Sequence, residues 1–414
     1  MSDQSKTPVD EKAVLEILKS KNVHTFFQPV VSISTKSIVG FEAFSRGGGG
    51  DVCVIDPAML FHDDLKPELK VDVDRLCREK AFEQFKPIYG GHKDMLLFAN
   101  ISADILPHVE TGSKVLKHQV ASMDIDPGNV VIECPLCRSD SKEMVEFAKM
   151  YKEFGFKISL DSCDVDDSFS QAISTIEPDF VKINPTFYAK AARKDYSTKA
   201  LESVIEVVDR VGGAVIAQGV ESEEDSIRLL TAGVHLQQGY YYTKDENDKT
   251  GDPARMFLQK IVDTYDKFKK VKVQLIKRKK ERFDATFKNV ASICSKFAGM
   301  PEDKFEDAAK VLVRNIDDVV SMFVVDEGGE QITNRIHVKA TGNKNRSAKI
   351  LGSEKGVDHS VCDYVMYLDM GYEKFVTRPF ISPYTAEETC IISKPFYNSE
   401  GLRYVVCIEM PYPG

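Results

Sequence analysis

Between Val23 and about Thr243, short apolar runs alternate with amphipathic stretches. The runs are Thr25–Ile33, Ile38–Ser45, Met95–Ser102, Val130–Cys134, Lys157–Asp161, Phe180–Asn184, Ala214–Gln218 and Leu236–Tyr241. Stretches of helical period lie between them, among them Lys142–Phe154, Ser197–Val211 and Glu223–Ala232. This alternation, with β-branched residues in the strands, predicts a parallel sheet covered by helices. Eight strands in about 220 residues suit a closed α/β barrel of the TIM-like (β/α)8 type. Only Ser34-Thr35-Lys36-Ser37 separates the first two runs, too little for a crossover helix, so that pair should be antiparallel.

Beyond Asp252 the period changes. Phe257, Ile261, Tyr265 and Phe268 recur at helical spacing, as do Phe283, Phe287, Val290, Ile293 and Phe297. Between these stripes, Lys267–Arg282 holds nine Lys/Arg and one acid, Glu281. The solvated face of a connecting helix explains that run more simply than a patch for an anionic partner. Later runs read as antiparallel strands: Ser321–Asp326, Ile332–Val338, Tyr364–Asp369, Thr389–Tyr397 and Arg403–Glu409. A helix around Lys304–Ile316 precedes them, an α+β pattern. The expected organisation is a helix or tail over 1–20, a barrel over 21–250, a linker helix over 251–300 and an α+β domain over 301–414. The two apolar stripes of the linker need burial, which predicts a homodimer.

Composition narrows the classes. With 414 residues, 43% hydrophobic and 29% charged, the chain is ordinary for a soluble protein of two or three domains. Neither a signal peptide nor an apolar run of the roughly 18 residues that span a bilayer is evident, so a cytoplasmic protein without a membrane partner is expected. Nine scattered cysteines read as reduced thiols. Cys134-Pro135-Leu136-Cys137 has no second pair to complete a zinc site, and the eight histidines form no metal motif. A net charge of −9 argues against a nucleic-acid partner.

The chemistry sits at the strand ends, where barrels of this type carry their sites. Glu42, Asn100, Glu133, Asp161, Lys182, Gln218 with Glu221, and Gln238 fall at the ends of seven successive strands. Burying so many polar groups in an apolar core would be costly, so a site is the better explanation. Glu42, Asn100, Glu133 and Asp161 are hard oxygen donors suited to Mg2+, Mn2+ or Ca2+. Lysine beside them suits a phosphate oxygen or a metal-bound water, and carboxylates holding metals are a common device for phosphodiester hydrolysis.

Several segments together resemble the EAL family of cyclic di-GMP phosphodiesterases. They are Phe27-Gln28-Pro29-Val30, Gly40-Phe41-Glu42-Ala43-Phe44-Ser45-Arg46, Asn100-Ile101-Ser102-Ala103, Val181-Lys182-Ile183-Asn184, Ala217-Gln218-Gly219-Val220-Glu221 and Gln238-Gly239-Tyr240. The match runs over about residues 20–245, in order and spacing. It implies hydrolysis of cyclic di-GMP to linear pGpG with Mg2+ or Mn2+, on a barrel whose first strand is antiparallel. It also implies metal ligands at Glu42, Asn100, Glu133 and Asp161, with Lys182 and Glu221 in the same site. Gln28, Arg46, Asn100 and Gln238 would line the nucleotide pocket, an arginine fork suiting phosphate or guanine edges. The segment Phe375–Met410, which contains Arg378–Thr385 and Ile391–Tyr397, resembles PAS/Cache-like sensor domains.

The family pattern is broken at four places. Ser162 stands where a second metal-bridging aspartate is usual, and the following loop lacks both family glycines. Leu136 replaces a glutamate that anchors this loop, and Gln218 replaces the glutamate expected as general base. An amide cannot accept the proton of water, and loss of a general base typically costs ~10²–10⁴-fold in rate. Asp164, Asp166 and Asp167 are candidate substitute carboxylates. The expected function is binding of cyclic di-GMP with little or no hydrolysis. The alternatives are an active phosphodiesterase and a ligand-free interaction scaffold.

Overall fold

The computed structural model describes residues 11–48, 60, 62, 65–102, 114–135, 142–163, 167–191, 195–243, 252–316, 318–338 and 354–412. For 162–163, 167–168, 189–191 and 195–198 only the backbone is described. Two compact units divide the chain, 1–272 and 273–414.

The first unit is built on a closed barrel of strands β1 (Val23–Ser32), β2 (Ser37–Gly47), β3 (Leu96–Asn100), β4 (Val130–Pro135), β5 (Lys157–Cys163), β6 (Phe180–Ile183), β7 (Ala214–Ala217) and β8 (Leu236–Gln237), in that order. β1 runs antiparallel to both its neighbours, β2 and β8, and the other pairs are parallel. The antiparallel pairing inferred from the short Ser34–Ser37 connection is therefore present. Its register sets Gln28 opposite Glu42, Phe26 opposite Phe44 and His24 opposite Arg46. Alternation then puts these six side chains on one face of the hairpin.

Among the described helices of this unit are α1 (Glu11–Ser20), α2 (Pro67–Gly91), α3 (Val115–Ser122), α4 (Lys142–Glu153), α5 (Asp167–Ile176), α6 (Pro185–Ala191), α7 (Asp195–Arg210), α8 (Glu223–Ala232) and α9 (Tyr240–Thr243). α8 starts where Ser222 Oγ accepts from the Asp225 amide at 3.1 Å, and stops at Gly233, whose φ is 105°. Apolar residues fill two layers. Val30, Leu96, Phe98, Val131 and Ile216 pack as one cluster, while a larger one joins the helices to the sheet.

One strand differs from the sequence reading. β8 is two residues long, and Tyr240–Thr243 turn into α9 instead of extending the strand. The cause is a close approach at Gly239. A Cβ there would lie 2.2 Å from the backbone N and O of Val220, and the Tyr241 amide donates to Val220 O. The loop after β7 thus takes the hydrogen bond that a longer β8 would need.

α10 (Leu258–Ala298) is one helix of 41 residues. Its Ile261 and Phe268 join the barrel cluster, and its Val290, Ile293 and Phe297 join the main core of the second unit. Both apolar stripes are therefore buried within the chain and lend a dimer no support, contrary to the sequence argument. Residues 272–282 are exposed on all sides, as a solvated basic helix should be.

In the second unit a sheet runs in the order β10-β9-β14-β13-β11, with β12 also paired to β13. The strands are β9 (Ser321–Asp326), β10 (Ile336–His337), β11 (Phe375–Val376), β12 (Phe380–Ile381), β13 (Glu388–Tyr397) and β14 (Arg403–Pro411). α11 (Phe305–Leu312) and the end of α10 cover one face. α12 (Asp363–Asp369) packs on the other through Val365 and Leu368. Tyr364–Asp369 is thus a helix, not the expected strand, because the two residues it buries are three apart. Among the described residues, no helix is long and apolar enough to cross a membrane.

Candidate functional site

The parallel strands carry their C-terminal ends to one rim of the barrel, and the antiparallel β1 brings Gln28 to it. Lys182, on β6, is fully buried, with its ammonium 5.1 Å above the Phe98 ring. It donates to Glu42 Oε2 at 2.7 Å and also lies against the Glu133 carboxylate. Glu42 is the hub. Its Oε1 accepts from Asn100 Nδ2 at 3.0 Å, and its Oε2 accepts from Gln238 Nε2 at 2.8 Å. The same Gln238 nitrogen reaches Gln28 Oε1 at 3.0 Å. Six of the residues singled out from sequence therefore form one connected network: Gln28, Glu42, Asn100, Glu133, Lys182 and Gln238.

The electrostatics follow from burial. Burial alone would raise the Glu42 carboxyl, but the Lys182 ammonium and hydrogen bonds from its neighbours hold it below the ordinary range. For Glu133 burial wins. Its pKa lies well above the usual value despite Lys182, with Glu42 and Asp161 adding repulsion. Burial disfavours the Lys182 ammonium, yet the two carboxylates more than offset this and raise its pKa.

A second connected pair lies across the rim. Gln218 Nε2 donates to Asp161 Oδ1 at 2.9 Å. Tyr188 OH, on α6, donates to Gln218 O at 2.8 Å and to Gly219 O at 3.1 Å, which fixes the backbone around Gln218. Glu221 is exposed beyond β7. Arg46 donates from Nη1 to Ser45 O at 3.0 Å and borders a cavity of about 330 Å3 with Phe26, Phe27, Gln28, Phe44 and Thr243. Leu136, Cys137, Asp164 and Asp166 lie outside the described residues, as do the side chains of Ser162 and Asp167.

The donor chemistry fits a hard divalent cation. Four oxygen-bearing side chains come from the neighbouring strands β2 to β5, and buried Glu133 has an Oε2 without a hydrogen-bond partner. Among the described residues, however, no three His, Cys, Asp or Glu side chains are grouped as a metal requires. Lys182 meets Glu42 and Glu133, and the Gln218 amide donates to Asp161, so an ammonium and an amide N–H contact the carboxylates that would face a metal.

The sequence reading missed a neighbouring feature. Asp74 and Arg78, one turn apart on α2, form a buried ion pair, and Asp74 Oδ1 accepts from the Ser102 amide at 3.4 Å. The pair borders a cavity of about 400 Å3 with Phe44, Cys77, Asn100 and Ser102. Burial brings the Arg78 pKa down to about 10. An Asp and an Arg four apart were the available signal, but the same spacing is common on exposed helices.

Taken together, barrel, reversed first strand and acidic rim define a class, and the comparisons agree with it. Residues 11–245 match the EAL domain, more than half of the chain, and the chain belongs to that family. It is 22% identical over 230 residues to the probable cyclic di-GMP phosphodiesterase PdeB of Escherichia coli (strain K12), spanning 55% of this chain and 44% of that one. It is also 22% identical over 330 residues to the EAL-domain containing protein YkuI of Bacillus subtilis (strain 168), spanning 78% and 79%. The crystal structure of YkuI, in complex with cyclic di-GMP and calcium, superposes with a TM-score of 0.76 at 18% identity, over 98% of each chain. That likeness covers the fold of both units.

Proposed function

We propose that this protein is a cytoplasmic cyclic di-GMP receptor whose barrel binds the dinucleotide with little or no hydrolysis. The observation that carries this is the Gln218 amide donating to Asp161, where the family resemblance calls for a carboxylate. The remaining polar rim is intact: Gln28, Glu42, Asn100 and Gln238 are already joined by hydrogen bonds. When bound, Mg2+, Mn2+ or Ca2+ would be held by Glu42, Asn100 and Glu133, with Asp161 beside them, and would supply charge for the phosphates. Lys182 neutralises the buried carboxylates, and Gln28, Arg46, Asn100 and Gln238 contact the ligand. Glu221 belongs to the same rim. The chain from 301 onward is a PAS/Cache-like sensor domain, joined to the 21–250 barrel by the linker helix.

Calorimetric titration of the full chain with cyclic di-GMP, with and without Ca2+, tests the reading. Arg46→Ala should weaken binding by about 1.5–3 kcal/mol, the scale of a hydrogen bond to a charged group. If the wild type shows no binding at millimolar ligand, the receptor assignment fails.

We further propose that the protein self-associates as a homodimer. Met366, Met370 and Tyr372, in and just after α12, are exposed apolar residues of the second unit. Light scattering at tens of micromolar should give twice the chain mass. A monomer at that concentration would remove the dimer.

A further inference from the structure

The chain leaving β7 is held from several sides. The Gln218 amide donates to Ile183 O at 3.0 Å, on the neighbouring β6. The Val220 amide donates to Gln238 O, just past β8, at 3.0 Å, and Val220 O accepts from the Tyr241 amide at 2.9 Å. The carbonyls of Gln218 and Gly219 turn instead to a side chain. The Tyr188 hydroxyl shares its one proton between them, at 2.8 Å and 3.1 Å. Among these ties, only the Tyr188 hydroxyl belongs to a side chain, so it is the one that a substitution can remove.

Tyr188 is 3% exposed and sits on α6, which follows directly on β6 and Lys182. Asn184 Oδ1 accepts from the Phe187 amide at 2.8 Å and shapes the first turn of that helix. A Cβ at Gly219, whose φ is 62°, would lie 2.5 Å from Pro185 Cγ. The turn at 218–219 is thus seated on the start of α6. Any buried tyrosine hydroxyl needs an acceptor, so bonding by itself assigns no role. What singles out Tyr188 is that its acceptors are the peptides beside a rim side chain. Gln218 Nε2 donates to Asp161 Oδ1 at 2.9 Å. A tilt of the Gln218 peptide would carry Nε2 off that line, and hydrogen bonds weaken steeply with misalignment.

We propose that Tyr188 is a positioning residue of the rim: it fixes the Gln218 peptide so that the Gln218 side chain meets Asp161, and thereby sets the affinity of the barrel for an anionic dinucleotide. This rests on the reading of the barrel as the cyclic di-GMP site. The full chain is titrated calorimetrically with cyclic di-GMP as wild type, Tyr188→Phe, Gln218→Ala and the double variant, each well below its measured Tm. The condition, with or without Ca2+, is the one in which the wild type binds more tightly. Tyr188→Phe keeps the ring and removes only the hydroxyl, and it should weaken binding about fivefold, the scale of one hydrogen bond. Gln218→Ala should weaken binding at least as much. Tyr188→Phe should then add nothing in the double variant, because its effect passes through that side chain. Affinity that Tyr188→Phe leaves unchanged overturns the positioning role. So do losses that multiply in the double variant, the mark of a general effect on the fold. A wild type that fails to bind removes the receptor reading and this role with it, whereas the other two outcomes leave that reading standing.

Discussion

Replacing Lys182 with methionine is expected to destabilise the protein by about 3–5 kcal/mol at neutral pH, the usual cost of stranding a buried charge. Its ammonium is the counter-charge for two carboxyls buried in the barrel, Glu42 and Glu133. Methionine matches the length of the side chain and leaves no large cavity, so the loss reports charge. The pH dependence has a definite sign. Glu133 titrates above its unfolded value. Without Lys182 the Glu42 carboxyl, now held low by that ammonium, should rise as well. A carboxyl with a raised folded pKa favours the fold below its unfolded value, near 4.5, and loses that advantage as pH rises through the folded one. The variant should therefore recover part of its deficit between pH 7 and pH 5. Urea titrations at both values measure this. A deficit below ~1 kcal/mol at pH 7 would show that the ammonium is not holding the site together.

The second large effect concerns chemistry. The wild type should form pGpG at least 10²–10⁴-fold more slowly than the 1–10³ per second typical of enzymes, the scale set by a missing general base. Incubation with cyclic di-GMP and Mn2+ followed by chromatography reads it out, and turnover near one per second would sink the receptor reading. Gln218→Glu sharpens the test. The amide now donates to Asp161 Oδ1 at 2.9 Å. A carboxylate at that distance cannot ionise beside Asp161 without a cation or a shared proton. The variant should therefore melt lower than the wild type in chelator and gain more Tm from Mn2+. Equal Mn2+ shifts in the two proteins would mean that position 218 does not help to hold a metal.

The barrel itself was legible because its evidence is local and repeated. Apolar runs of strand length, separated by helical periods, recur from Val23 to Ala217, and each candidate strand in that stretch is present, with ends shifted by a few residues. α2 was not read, and its composition explains why. Lys70, Asp74 and Arg78 are buried at four-residue spacing, so charges occupy the face that an amphipathic pattern would fill with apolar residues. Tyr364–Asp369 was read as a strand because its aromatic and β-branched content favours one, while burial of Val365 and Leu368 follows helical spacing.

Sequence alone determined which residue types reach the rim, since strand ends and polar identity are both encoded within a few neighbouring positions. It also determined that position 218 carries an amide where a base is expected. Only the tertiary structure decided who pairs with whom. Gln238 meets Gln28 across 210 residues and Glu42 across 196, Lys182 meets Glu42 across 140, and Gln218 meets Asp161 across 57. Closure of the barrel sets those partners by bringing β8 beside β1 and β6 across from β2, and no local pattern of apolar and polar residues carries that information.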